Sequence, residues 1–488
     1  MLRRLVRQSG VYSIVNVVGK LSGVFLLALF GNPEILSTAD FGYLGGLNAV
    51  MMFSILLAGV GLPLGIIRFS SAPTLDEDER RAVPATALSV ATVAGVLFTI
   101  VGWFGAAWGS EALFGDASRA DVIRWLVLFV GFKTVSDVSY TVLRQREQAG
   151  SYALIGALEA GLLAVLVAVF LLRGEGLAGV MKGYAISAGV ITAIVTPALL
   201  KRIDRRVRWD LIGPMLAFGA PLILSGVAGR FLNLGDRFLI IHFLGPEANA
   251  PYEWAARFGG VVNTLLVQSF MLAFTVLGMK SLDETGTPDL HRQSFRHFSA
   301  LAGWVVLGLA LFVGDVSRLL TDVPAYIETD GLVLLVAGGF AFYGLYYVVV
   351  NVLYVAGRTQ AVALSVGAAA VLNLVLNLAL IPVMGIAGAA VATLLSYAAL
   401  AAGTAHLAQS STPVDYPWGS LLAVSALVTG LWVLGQPTEE WSVAARLASR
   451  VGIALAYLPG LWLLGVYRRD DLDRALEVVR ARGRDAEA

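Results

Sequence analysis

Six cations lie in stretches that are otherwise almost free of charge: Lys20, Lys133, Lys182, Arg230, Arg237 and Arg257. Three acids accompany them, Asp137, Glu159 and Asp236. Arg230, Asn233 and Arg237 stand at i, i+3 and i+7, which puts them on one face of a helix. Asn16 and Lys20 repeat the pattern at i and i+4. A surplus of cations on such faces is anion-binding chemistry, and the planar fork of arginine suits phosphate because it binds bidentately. Lys133 and Asp137, at i and i+4, read as an ion pair. Glu159 reads as a group able to respond to a proton or a coupling cation. Asp236 either neutralises Arg230 or serves a neighbouring helix. Arg257 and Lys182 either join the site or snorkel to the surface.

Other chemistries have little support. The chain has no cysteine, and its four histidines are scattered without metal-ligand spacing. No thiolate nucleophile, metal site or cofactor is therefore expected. A net charge of +1 gives no sign of a nucleic-acid partner. The acidic run Asp76–Glu79 either marks a metal–sugar nucleotide site or is a solvated turn beside Arg80 and Arg81.

The elements that carry these charges must be membrane helices. The 488 residues are 57% hydrophobic and 14% charged, with mean hydropathy +0.77, whereas a soluble domain is about 25% charged. Residues 90–109, 263–279 and 359–403 carry no charge at all, and about 18 apolar residues are enough to call a transmembrane helix. Hydropathy and turn signals predict an all-α polytopic membrane protein of fourteen helices. Their spans are 9–31, 39–67, 83–108, 121–144, 151–172, 176–200, 211–243, 249–279, 297–319, 329–356, 360–382, 385–407, 417–434 and 443–466. The basic start MLRRLVRQSG resembles a signal peptide, but the apolar run after it is long and lacks a small-x-small cleavage site. It reads as an uncleaved first span.

Basic residues set the orientation. With the N-terminus in the cytoplasm, 23 of the 35 Lys and Arg residues fall on the cytoplasmic side and six in outer loops. Both termini are then cytoplasmic, in the cytoplasmic (inner) membrane. The chain also repeats itself weakly. VLRQREQAGSYAL (142–154) matches VLYVAGRTQAVAL (352–364), and GLAGVMKGYAIS (176–187) matches GIAGAAVATLLS (385–396). At the same offset Gly19-Lys20 meets Gly229-Arg230. Residues 1–205 and 206–410 thus read as two parallel-related six-helix bundles, a transporter architecture with the site between halves. Residues 411–467 add two helices, and 468–488 form an amphipathic cytoplasmic tail. The segment GVGLPLG (59–65) reads as a kink or hinge in the second span, and Gly219 and Pro221 as a bend in the seventh.

Several segments, in this order and spacing, resemble the polysaccharide flippases (Wzx-type, O-antigen or repeat-unit translocases) of the multidrug/oligosaccharidyl-lipid/polysaccharide exporter superfamily. They are GVYSIVNVVGKLSG (10–23), NLGDRFLIIHFLG (233–245) followed by PYEWAARF (251–258), VLYVAGRTQ (352–360) and GIAGAAVATLLSY (385–397). The resemblance covers about residues 5–410. It implies two six-helix bundles, a central cavity and alternating access. The substrate implied is an anionic lipid-linked oligosaccharide on polyprenyl phosphate or pyrophosphate, with membrane lipids, and with polymerase or glycosyltransferases as partners. The positions matching the cationic cavity are Lys20, Arg230 and Arg237, with Asn233, Asp236 and Arg257 beside them. Fourteen helices, as in the lipid II flippase branch, exceed the twelve of many members. Two other readings stand beside this one. A drug/cation antiporter of the same superfamily would favour buried carboxylates over a cationic surplus. A membrane glycosyltransferase or polymerase would need a sizeable outer domain, and no loop exceeds about 20 residues.

Overall fold

Inside a bilayer the backbone must satisfy its own hydrogen bonds, and this chain does so with helices. The computed structural model describes residues 22–146, 148–284, 289–438 and 441–467, and among them there is no strand. Lys20 and the tail 468–488 lie outside the described residues.

In chain order the helices are α1 (22–30), α2 (Thr38–Ala58), α3 (Leu62–Phe69), α4 (Glu77–Phe104), α5 (Ala106–Phe114), α6 (Ala120–Gln145), α7 (Ala149–Leu172), α8 (Gly176–Leu200) and α9 (Ile212–Leu244). Then follow α10 (Pro246–Val261), a π-helical turn (Val262–Val267), α11 (Gln268–Glu284), α12 (Asp289–Leu320), the single turn α13 (Pro324–Ile327), α14 (Asp330–Val355), α15 (Thr359–Met384), α16 (Ile386–Gln409), α17 (Trp418–Gly435) and α18 (Val443–Leu463). Ten helical segments among the described residues are long and apolar enough to cross a membrane. The described residues of the other four expected positions are also helical, as α1, α9, α10–α11 and α18, but they do not add to that ten.

The chain forms two compact units, Met1–Ala250 with Leu320–Val323, and Pro251–Leu319 with Pro324–Ala488. In the first, α6 packs along α4 and α8, α7 lies on α8, and α9 packs on α2 and α3. Long α9, which the repeat groups with the second half, thus shares its packing with the first. In the second unit α14 is central, against α16, α11 and the π-helical turn, while α15 packs on α16 and α17 on α18.

Two close backbone approaches fix the first unit. A methyl group at Gly95 would fall 2.7 Å from the Gly131 carbonyl oxygen, so α4 and α6 meet where only glycine fits. Small residues at such crossings are how membrane helices gain contact without a hydrophobic drive between them. The second approach is at GVGLPLG. Helix α2 stops at Ala58, Val60 and Gly61 take positive φ of 44° and 68°, and α3 restarts with Pro63 in its first turn. A methyl at Gly219 of α9 would stand 2.6 Å from the Val60 carbonyl oxygen. The break is therefore seated on α9, and Val60 holds a conformation unfavourable for a β-branched residue.

The acidic run resolves into a helix start. Asp76 caps α4 by accepting from the Glu79 N–H at 2.7 Å, and the Glu79 side chain accepts from the Asp76 N–H at 3.0 Å. This reciprocal capping box satisfies backbone donors, and Glu77 pairs with Arg81 one turn on.

Candidate functional site

Helix α6 presents Lys133, Asp137, Tyr140 and Arg144 at intervals of four, three and four residues, along one stripe. The Gly95–Gly131 crossing sets where that stripe lies, half a turn before Lys133. Helix α7 faces it with Tyr152, Gly156 and Glu159. The Lys133 ammonium sits between two carboxylates, 3.0 Å from Asp137 Oδ1 and 3.1 Å from Glu159 Oε1. Tyr140 donates its hydroxyl to Glu159 Oε2 at 2.6 Å, and its ring centroid is 5.2 Å from Lys133 Nζ. Tyr152 meets Tyr140 edge-on at 5.4 Å, and Tyr184 of α8 meets Phe129 at 5.3 Å. Together with Pro63 and Ser187 these residues line a cavity of about 520 Å³ within the first unit.

Helix α9 carries Arg230, Asp236 and Arg237. Arg237 donates to Asp236 Oδ1 at 2.7 Å and to the Asn233 carbonyl at 3.0 Å. The Arg237 and Asp236 side chains are 10% and 3% exposed. Asn233 turns its amide back to the Gly229 carbonyl, at 2.8 Å. Arg230 differs. It is partly exposed, and its Nη1 lies 3.1 Å from Met52 Sδ. No salt bridge to Arg230 occurs among the described residues.

The other expected positions are engaged locally. Lys182 pairs with Glu175 at 3.0 Å and lies 4.4 Å from the Phe170 ring centroid. Arg257, in the second unit, pairs with Glu253 at 3.3 Å, one turn back on the same helix. Glu253 was not among the three acids named from sequence, and it narrows the cationic surplus. The structure thus joins Lys133, Asp137 and Glu159 in one network, and sets Asp236, Arg237 and Asn233 in contact with one another.

A sequence profile described as "Polysaccharide biosynthesis protein" matches residues 5–275, more than half of the chain. The chain belongs to this polysaccharide biosynthesis protein family. No curated protein matches it significantly by sequence. Among solved structures, the fold of this family member is similar to that of the lipid II flippase MurJ in an inward closed conformation, at 12% identity and TM-score 0.73, covering 91% of this chain and 97% of that one. It is similar to an inward-facing multidrug resistance MATE family transporter of the MOP superfamily, at 17% identity and TM-score 0.64, covering 84% and 95%. It is also similar to a MOP superfamily transporter from Pyrococcus furiosus, at 15% identity and TM-score 0.58, covering 83% and 95%. The family member is therefore a multi-pass, all-α membrane protein with a MOP-type transporter fold.

Five residues, three tyrosines and two arginines, were not singled out from the sequence. Tyr140, Tyr152 and Tyr184 frame the cavity, and their spacing around Lys133 and Glu159 on predicted spans was the available signal. Arg446 and Arg450, counted with the outer loops, lie inside α18 and are buried, 7% and 3% exposed. Both bond to Asp315 of α12, Arg446 through Nε at 2.8 Å.

Proposed function

We propose that the chain is an alternating-access flippase. It moves a polyprenyl-(pyro)phosphate-linked oligosaccharide from the inner to the outer leaflet of the cytoplasmic membrane, for cell-surface polysaccharide export. Both termini lie in the cytoplasm, residues 1–205 and 206–410 are the two repeat halves, and glycosyltransferases or a polymerase act before and after it.

The observation that carries this reading is Arg230. A charge within a bilayer is costly and is retained where it has a partner or a task. Asp236 holds Arg237 and Glu253 holds Arg257, whereas Arg230 keeps a partly exposed guanidinium against a methionine sulfur. That guanidinium is the first binding group for a phosphate, with Lys20 as its repeat-related counterpart. Asp236, Asn233 and Arg237 shape the helix that presents it. Family membership and the likeness to a lipid II flippase support the same cargo class.

One observation favours the antiporter reading: Asp137 and Glu159 are two partly buried carboxylates close enough to share one cation. Lys133 already fills the space between them. The test is translocation by the purified protein in proteoliposomes. A fluorescent polyprenyl-pyrophosphate sugar should be flipped. Failure to flip it, with a cationic dye moving against a proton or sodium gradient, would transfer the function to the antiporter.

A further inference from the structure

The cavity of the first unit has contents that an anion site does not need. Three tyrosines, Tyr140, Tyr152 and Tyr184, and Phe129 surround two carboxylates and the hydroxyls of Thr141 and Ser187. Its volume, about 520 Å³, falls in the range of small-molecule pockets, roughly 300–1,000 Å³. We infer that this cavity is a saccharide subsite, which receives the sugar next to the phosphate of the transported lipid. The inference rests on the flippase reading and deepens it.

Three arguments converge. Ionised carboxylates are acceptors only, with about four lone-pair sites each, and sugar hydroxyls are donors that lose water on entering. Lys133 and Tyr140 occupy part of that capacity on Glu159, and Lys133 part of it on Asp137. Asp137 keeps a side chain that is 35% exposed, so acceptor sites remain open toward the cavity. The ammonium between the carboxylates and the Arg144 guanidinium on the same cavity wall together balance their two charges, which suits a neutral polyol better than a free cation.

The second argument is the aromatic frame. Tyrosine offers an apolar face to the C–H side of a sugar ring and a polar tip to its hydroxyls. The edge-on pairs Tyr140–Tyr152 and Tyr184–Phe129 fix these rings on α6, α7 and α8. The third is connectivity. In a sugar phosphate the ring and the anion are covalent neighbours, so their subsites must adjoin. Asp137 and Arg144 line the same cavity, so a guanidinium able to meet the anion stands on the wall that carries the sugar-binding carboxylate.

The test compares two fluorescent probes in proteoliposomes, polyprenyl pyrophosphate bare and polyprenyl pyrophosphate bearing an N-acetylhexosamine. Two variants remove cavity chemistry with little change in size, Glu159→Gln and Tyr152→Leu, each at matched levels of folded protein. Calorimetric titration of the detergent-solubilised protein with a free N-acetylhexosamine oligosaccharide runs in parallel. The expected result is at least a tenfold loss of flipping for the sugar-bearing probe with the bare probe unchanged. Free-sugar binding should be lost in both cavity variants and kept in Arg230→Ala. If the variants slow both probes equally, or neither, the saccharide subsite is overturned while the flippase stands. If wild type flips neither probe yet binds sugar in a Glu159-dependent way, the subsite stands and the flippase falls. If it neither flips nor binds, both fall.

Discussion

The Arg237 guanidinium closes back on Asp236, the residue directly before it, with Nη1 2.7 Å from Oδ1. Neighbours in a helix do not face each other, so the contact depends on the long arginine side chain folding along its own helix. It also reaches the Asn233 carbonyl one turn back. Opposite charges thus meet within α9, and Arg230 is the more open cation of that helix.

Removing one member should therefore harm the fold before it harms the chemistry. Asp236→Ala removes the carboxylate that Arg237 Nη1 contacts, in a site where the pair is 10% and 3% exposed. Losing a partner from a buried ion pair destabilises by about 3–5 kcal/mol. A lowered melting temperature is expected for Asp236→Ala, partly restored by the double change Asp236→Asn with Arg237→Gln. An unchanged melting temperature would show that the pair carries no structural weight.

Lys133 should be coupled to both carboxylates. Lys133→Met leaves Asp137 and Glu159 without their shared ammonium, and it should destabilise the first unit by about 3 kcal/mol or more. Adding Glu159→Gln should recover part of the loss. A double-mutant cycle in thermal unfolding reads the coupling directly, with about 0.5–3 kcal/mol expected for contacting groups. Strict additivity would contradict the network.

The broken helix seated on α9 depends on glycine. Gly219→Ala drives a methyl to within 2.6 Å of the Val60 carbonyl oxygen, and overpacking of this kind is expected to destabilise by about 1–3 kcal/mol. Gly61→Ala adds a side chain at φ 68° as well as a clash with Gly219, so its effect should be the larger. Thermal unfolding of the two variants side by side checks that order.

Much of this was legible in sequence, and the misses have physical causes. Hydropathy located the helices because the bilayer requires long apolar spans. The spacing of Lys133 and Asp137 revealed their pairing because i and i+4 share a helix face. Glu159 could not be joined to them from sequence, since its contact crosses from α7 to α6 and depends on tertiary packing. Asp236 was expected to serve Arg230 or another helix, because adjacency on a helix argues against pairing. Arg446 and Arg450 are also four residues apart, inside the expected span 443–466, but their partner Asp315 is far away in the chain, so the contact depends on tertiary packing. The Asp76–Glu79 run, expected either as a metal–sugar nucleotide site or as a solvated turn, is the capped first turn of α4. Lys20, half of the expected cationic pair, lies outside the described residues.

Transport should follow membrane voltage. An anionic head moving outward across an inside-negative membrane gains about 2.3 kcal/mol per charge per 100 mV. Imposing that polarity on proteoliposomes by a potassium gradient with valinomycin should speed outward flipping, and reversing it should slow it. Indifference to the imposed potential would remove voltage as a driving force.

The most direct test of the central claim is the flipping rate of a fluorescent polyprenyl-pyrophosphate sugar by wild type, Arg230→Lys and Arg230→Ala at equal levels of folded protein. The account predicts an active wild type, an intermediate Arg230→Lys that keeps charge without the bidentate fork, and an Arg230→Ala at least tenfold slower with an unchanged melting temperature. Normal flipping by Arg230→Ala would contradict it.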